Sequence, residues 1–235
     1  SGIDPSTMPA DSVITGEGTG LYATASVSDK AGNTTTANSP SVKIDRTKPA
    51  TTVSVVPTGW TNMPVSLTLS ASDNLSGVAQ TYWQLDGGST QTGTTITVSG
   101  EGIHSLTFWS VDNAGNVEDS SAADHVITIK IDNIPPTITG FASPAPNGNG
   151  WNNTPVTVTF YCQDNESGIA SCPDPVTLST EGANQSVLGT AKDNAGNTES
   201  TTVGGIKIDL TPPVTASDAP PGWTNNAGVT VNLSA

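Results

Sequence analysis

Asp112-Asn113-Ala114-Gly115-Asn116 returns residue for residue as Asp193-Asn194-Ala195-Gly196-Asn197, and a near copy, Asp29-Lys30-Ala31-Gly32-Asn33, precedes both. Each copy follows a strand-like run. Each leads into a second run that ends in Lys-Ile-Asp, at Lys43-Ile44-Asp45, Lys130-Ile131-Asp132 and Lys207-Ile208-Asp209. Successive copies lie about 80 residues apart, so the chain reads as a tandem array of one small β unit. The pentapeptide has a local cause. A type I turn followed by one left-handed residue closes a hairpin with a bulge, and glycine takes that backbone at no steric cost. Gly115 and Gly196 stand where that residue belongs, and the preceding aspartate is placed to accept N–H bonds of the turn.

Working outward from this turn defines one full unit. Strands are expected at 52–56, 65–71, 82–85, 95–98, 104–111 and 126–131. Val65, Leu67, Leu69 and Ala71 alternate with polar residues, the period of a half-buried strand. Asp86-Gly87-Gly88 is a hairpin signal. With about seven strands per unit and no convincing helical period, the expected class is all-β, an array of antiparallel β-sandwiches. Matching the parts along the chain gives four segments. Residues 1–46 are a partial unit lacking its first two strands; 47–133 and 134–210 are complete units; 211–235 holds the first two strands of a further one. A sandwich lacking core strands is not expected to fold alone. Two readings stay open: the chain is a window of a longer repeat protein, or terminal strands of one copy complete the first unit of the next, head to tail, and so build filaments.

Composition narrows the function classes. The 235 residues carry a formal net charge of −14, which argues against nucleic acid and anionic membranes as partners and suits a soluble exterior protein or cation binding. No apolar run approaches the roughly 20 residues of a membrane span, so no membrane insertion is expected. The chain begins at Ser1 without Met and reads as a mature or trimmed piece. Cys162 and Cys172 have no further soft ligands nearby, so a disulfide closing the turn around 164–168 is expected rather than zinc, with two buried thiols as the alternative. A disulfide implies an oxidising compartment.

Trp60, Trp151 and Trp223 mark the same turn three times. They are either possible glycan contacts or, as the preferred reading, staples fastening a turn to its own sandwich, because a strand follows each one. Lys43, Lys130 and Lys207 recur on the last strand, but apolar residues hold the alternate positions. These lysines should face solvent, which argues against an isopeptide crosslink. His104 and His125, the only histidines, are assigned to strands of one unit and form no catalytic constellation, so no enzyme activity is expected.

The succession Asp-x-x-Ser-Gly, Glu-Gly, Asp-x-Ala-Gly-Asn, Ile-Asp-x-Thr-x-Pro resembles the bacterial immunoglobulin-like tandem repeats of extracellular surface proteins, over essentially the whole chain. The resemblance implies tandem immunoglobulin-like antiparallel β-sandwiches in a linear array, located extracellularly or at the cell surface. It implies a structural or adhesive role, as a stalk or filament subunit, whose partners are copies of itself or neighbouring repeats, and a surface or glycan target. The alternative is an accessory spacer or weak carbohydrate-binding region of a larger secreted enzyme.

The resemblance also suggests Ca²⁺ at the junctions between units, and topology supplies a physical basis. In such a sandwich the second-to-third strand turn and the last hairpin share one end, where the preceding linker arrives. Asp45, Asp73 and Asp112 are expected to meet at one junction, and Asp132, Asp164 and Asp193 at the next, with Glu166 near. Clustered carboxylates suit a hard cation. The competing reading is that each aspartate only caps its own turn. The linkers between units carry proline and read as semi-rigid spacers.

Overall fold

A computed structural model describes residues 1–218, 222 and 228–234. The chain is all-β, and the helical turns among the described residues are two short 3-10 segments, Pro5–Thr7 and Ala123–His125. It divides into two compact units, Ser1–Asn133 and Ile134–Ala235.

The first unit opens with β1 (Gly18–Leu21), β2 (Thr24–Ser28), β3 (Thr34–Asn38) and β4 (Val42–Ile44), paired antiparallel as β1-β4 and β2-β3. None of their residues is buried. A sandwich follows, built from β5 (Ala50–Val53), β6 (Trp60–Thr61), β7 (Val65–Ser72), β8 (Val78–Leu85), β9 (Gln91–Thr92), β10 (Thr95–Val98), β11 (Gly102–Asp112) and β12 (Val126–Ile131). One sheet runs β10-β7-β5 and the other β6-β12-β11-β8-β9. The two sheets pack face to face around a shared core, which makes a β-sandwich.

The alternation read from sequence builds the core. Val65, Leu67 and Leu69 of β7 face Leu106 and Phe108 of β11 and Ile129 and Ile131 of β12, with Ile96 and Val98 of β10 closing the layer. On β11 the inward row continues through Ser110 to Asp112, so the period that buries Phe108 also buries a carboxylate at the strand's end.

The second unit repeats the plan with β13 (Thr137–Ser143), β14 (Val156–Gln163), β15 (Ile169–Ser171), β16 (Val176–Leu178), β17 (Gly182–Asp193) and β18 (Thr198–Ile208). Its sheets are β13-β14-β16 and β15-β17-β18, around Val156, Val158, Phe160, Val187, Ile206 and Ile208. A short pair, β19 (Ala216–Ser217) with β20 (Leu233–Ser234), follows and is exposed. Register makes the two sandwiches comparable: Asp112 pairs with Val78, and Asp193 with Ile169. On that correspondence Phe108 becomes Gly189 and Leu69 becomes Phe160. A Cβ on Gly189 would lie 2.5 Å from the Phe160 ring. The aromatic ring stands on the other sheet, and the glycine opposite leaves room for it.

Several sequence expectations shift. The first strand is Ala50–Val53 rather than 52–56, because Thr51 pairs with Ala71 and its side chain turns inward to a buried carboxylate. Trp60 lies in a short strand parallel to β12 rather than in a turn. His125 ends a 3-10 turn rather than lying on a strand. The strand expected at 104–111 extends to Gly102–Asp112. The disulfide Cys162–Cys172 is formed, and no free cysteine remains. Among the described residues no helix is long and apolar enough to cross a membrane.

Candidate metal centre

The pentapeptide turns position the carboxylates. Gly32, Gly115 and Gly196 have φ of 90°, 92° and 104°, the left-handed backbone the sequence demanded. In the middle copy, Asp112 Oδ1 accepts the N–H groups of Ala114 (2.9 Å) and Asn116 (2.8 Å), and Oδ2 accepts Asn116 Nδ2 (2.7 Å). Asp193 is held the same way by Asn197, through its N–H at 2.8 Å and Nδ2 at 2.7 Å. Asp29 is held by Ala31 and Asn33. Burial acts to raise the Asp112 pKa, but the bonds from Asn116, Ala114 and Gly115 outweigh it, and the net shift is downward. The same kind of bonds, chiefly from Asn33, lower Asp29 to about 2. These turns are built to hold a carboxylate in its charged form.

Asp73 opens the turn between β7 and β8. Its Oδ2 accepts the N–H groups of Leu75 (3.0 Å) and Gly77 (2.7 Å). Asn113 Nδ2 bridges the carbonyls of Ser76 and Gly77, each at 2.9 Å, and so ties this turn to the Asp112 hairpin. Asp45, one residue past β4, completes the set. Its Oδ2 accepts Ser76 N–H at 2.9 Å, and its carbonyl accepts Asn116 Nδ2 at 3.2 Å.

As a result, Asp45, Asp73 and Asp112 each bring a carboxylate oxygen within 4.8 Å of the other two. Each also caps a turn, the competing role weighed from sequence. The distribution of donors is uneven. Asp73 Oδ1 is buried and has no hydrogen-bond partner, although every other carboxylate oxygen of Asp73 and Asp112 has one. Two like charges at this spacing repel by roughly 3 kcal/mol per pair at an effective dielectric constant of about 20. A donor-free carboxylate oxygen among three such groups matches the hard-oxygen ligand set of Ca²⁺.

In the second unit, Asp164 and Asp193 likewise bring carboxylate oxygens within 4.8 Å of each other. Asp164 Oδ1 accepts Glu166 N–H (3.2 Å) and Gly168 N–H (2.6 Å). Asp132 follows the last strand of the first unit and is fully buried, its N–H donating to Thr61 O at 2.9 Å. Cys162 and Cys172 span the loop that carries Asp164. Trp60 and Trp151 are half-buried, and Lys207 Nζ sits 5.9 Å from the centroid of the Trp151 ring. Trp223 lies outside the described residues.

Sequence reading missed a second polar group in the first unit: Glu118, His125, Thr51, Thr81 and Ser110, all buried. The visible signal was a glutamate two residues after the pentapeptide. What made it unreadable was that its partners come from four separate segments. No family model matches this chain, and no curated protein is similar to it.

Proposed function

We propose that this chain is a structural and adhesive segment of an extracellular immunoglobulin-like repeat protein, working as a surface stalk or filament subunit. In the first unit a Ca²⁺ ion held by Asp45, Asp73 and Asp112 stiffens the joint between the N-terminal strands and the sandwich that follows. The observation that carries this reading is the convergence of those three carboxylates, with Asp73 Oδ1 buried and lacking any donor. Asp45 belongs to the strand arriving at the sandwich, whereas Asp73 and Asp112 belong to the sandwich itself. A cation shared among them links two bodies that the chain otherwise joins through Arg46-Thr47-Lys48-Pro49. The disulfide and the absence of any catalytic constellation in the sequence support an exterior, mechanical role.

Calorimetric titration of EDTA-stripped protein with Ca²⁺ tests the metal, and small-angle scattering tests the stiffening. The expected result is saturable binding and a rise in unfolding free energy of about 2.7 kcal/mol at a Ca²⁺ concentration of about 100 Kd. Scattering profiles with and without Ca²⁺ should differ in maximum dimension. Asp73→Asn should abolish all of these effects. Absence of binding heat at millimolar Ca²⁺ would sink the metal reading. Binding without any change in scattering would sink the stiffening.

A further inference from the structure

The buried polar group of the first unit bridges its two sheets. Thr51 is on β5; Thr81 and Ser110 are cross-strand partners on β8 and β11 of the opposite sheet. Glu118, between β11 and β12, is the hub. Its Oε1 accepts Thr51 N–H at 2.6 Å, and its Oε2 accepts the Thr51 hydroxyl and the Ser110 N–H, both at 2.5 Å. Ser110 Oγ then contacts Thr51 Oγ1 at 2.7 Å and Thr81 Oγ1 at 2.9 Å. His125 closes the group, with Nδ1 on Asp119 O at 2.9 Å and Nε2 3.6 Å from Glu118 Oε1. Such a network is strong while every member is satisfied and costly when one is removed.

The second unit has none of it. On the strand correspondence set out above, Thr51 becomes Ile138, Ser110 becomes Ala191 and Thr81 becomes Cys172. Ala71, the partner of Thr51, becomes Cys162, the partner of Ile138. Glu118 becomes Glu199, which is exposed. The locus has turned apolar, and the disulfide Cys162–Cys172 occupies it. That bond joins β14 of one sheet to the residue directly after β15 of the other.

We infer that the two sandwiches are clamped between their sheets at one equivalent place by different chemistry, and that the clamps open independently. The first clamp is a hydrogen-bonded carboxylate and does not respond to redox conditions. The second is covalent and is cut by thiols: two electrons and two protons from a dithiol reductant convert the S–S bond to two S–H groups, leaving the reductant as its own disulfide. Reduction leaves Ile138, Ala191 and the two thiols with no polar bridge to replace the lost bond. A reducing surrounding therefore loosens the second unit while the first stays closed.

Amide hydrogen exchange of the whole chain, read by mass spectrometry with and without dithiothreitol, tests this. The expected result is exchange at least about tenfold faster in β13, β14 and β15 on reduction, with β5, β7 and β8 unchanged. If the native bond resists the reductant, the Cys162→Ser, Cys172→Ser double variant supplies the open state. Glu118→Gln should do the converse, speeding exchange in β5 and leaving β14 as it was; Ser110→Ala serves where that variant does not fold. Equal acceleration of both units by reduction, or of neither, overturns the inference.

Discussion

At the residue scale, the chain repeatedly uses a carboxylate to satisfy several donors at once. Asp86 and His104 show this with a titratable partner. Asp86 Oδ1 accepts Ser105 N–H at 2.8 Å, and Oδ2 meets His104 Nδ1 at 2.8 Å. His104 Nε2 faces Gly100 O at 3.0 Å. Both ring nitrogens thus face acceptors, an arrangement only the imidazolium satisfies. The bond to Asp86 raises the His104 pKa, against the opposing effect of burial, and the bond from His104 lowers that of Asp86. The stability His104 contributes is full below its unfolded pKa of roughly 6.5 and is lost as pH rises through its higher folded value. The Asp86 contribution is present above roughly 3.9 and is lost as pH falls through its lower folded value. The pair therefore stabilises most between about pH 4 and 6.5. Melting curves of wild type and His104→Asn at pH 5.5 and pH 9 check this: the wild-type advantage should be larger at pH 5.5. An advantage independent of pH would show that the ring acts through packing alone.

At the element scale, burial of alternate positions explains the core strands β7, β10, β11, β12, β14 and β17, and the two cores show how far the positions can trade. Leu69 and Phe108 in the first sandwich correspond to Phe160 and Gly189 in the second. A Cβ on Gly189 meets three atoms of the Phe160 ring between 2.5 and 2.7 Å. Gly189→Ala should therefore destabilise the second sandwich by about 1–3 kcal/mol through overpacking, visible as a lowered denaturation midpoint. Adding Phe160→Leu should recover part of the loss, because it restores a smaller neighbour. Failure of the second change to help would place the strain elsewhere. The elements end as deliberately as they pack. Glu17, Glu101 and Glu181 each accept the N–H of the residue following a Lys-Ile-Asp run, at Arg46 (2.6 Å), Asn133 (2.7 Å) and Leu210 (2.9 Å). Three copies of one contact show that the Glu-Gly turns anchor the start of each linker.

At the scale of the whole molecule, charge dominates. With a formal net charge of −14, the folded chain repels itself at low ionic strength. Raising NaCl from about 0.01 M to 0.15 M shortens the screening length from about 30 Å to about 8 Å. The melting temperature of EDTA-treated protein should rise over that range, and the rise should shrink once Ca²⁺ is bound. A melting temperature that falls with salt would mean that local attractions outweigh the net repulsion.

The sequence by itself determined the all-β class, the recurrence of the turn motif and the hairpin glycines, and it raised the disulfide and the meeting of Asp45, Asp73 and Asp112 as expectations. The first three rest on local rules: a period of two, a recurring motif and a left-handed turn position. Tertiary structure alone decided which carboxylate oxygen lacks a donor, because that depends on where Asn113, Asn116 and Ser76 reach from other turns. It alone decided the Glu118 group, in which Thr51 and Glu118 lie 67 residues apart, and the exchange of a large core residue between facing sheets. Those facts depend on contacts across the sandwich, and no spacing along one strand encodes which residue stands opposite.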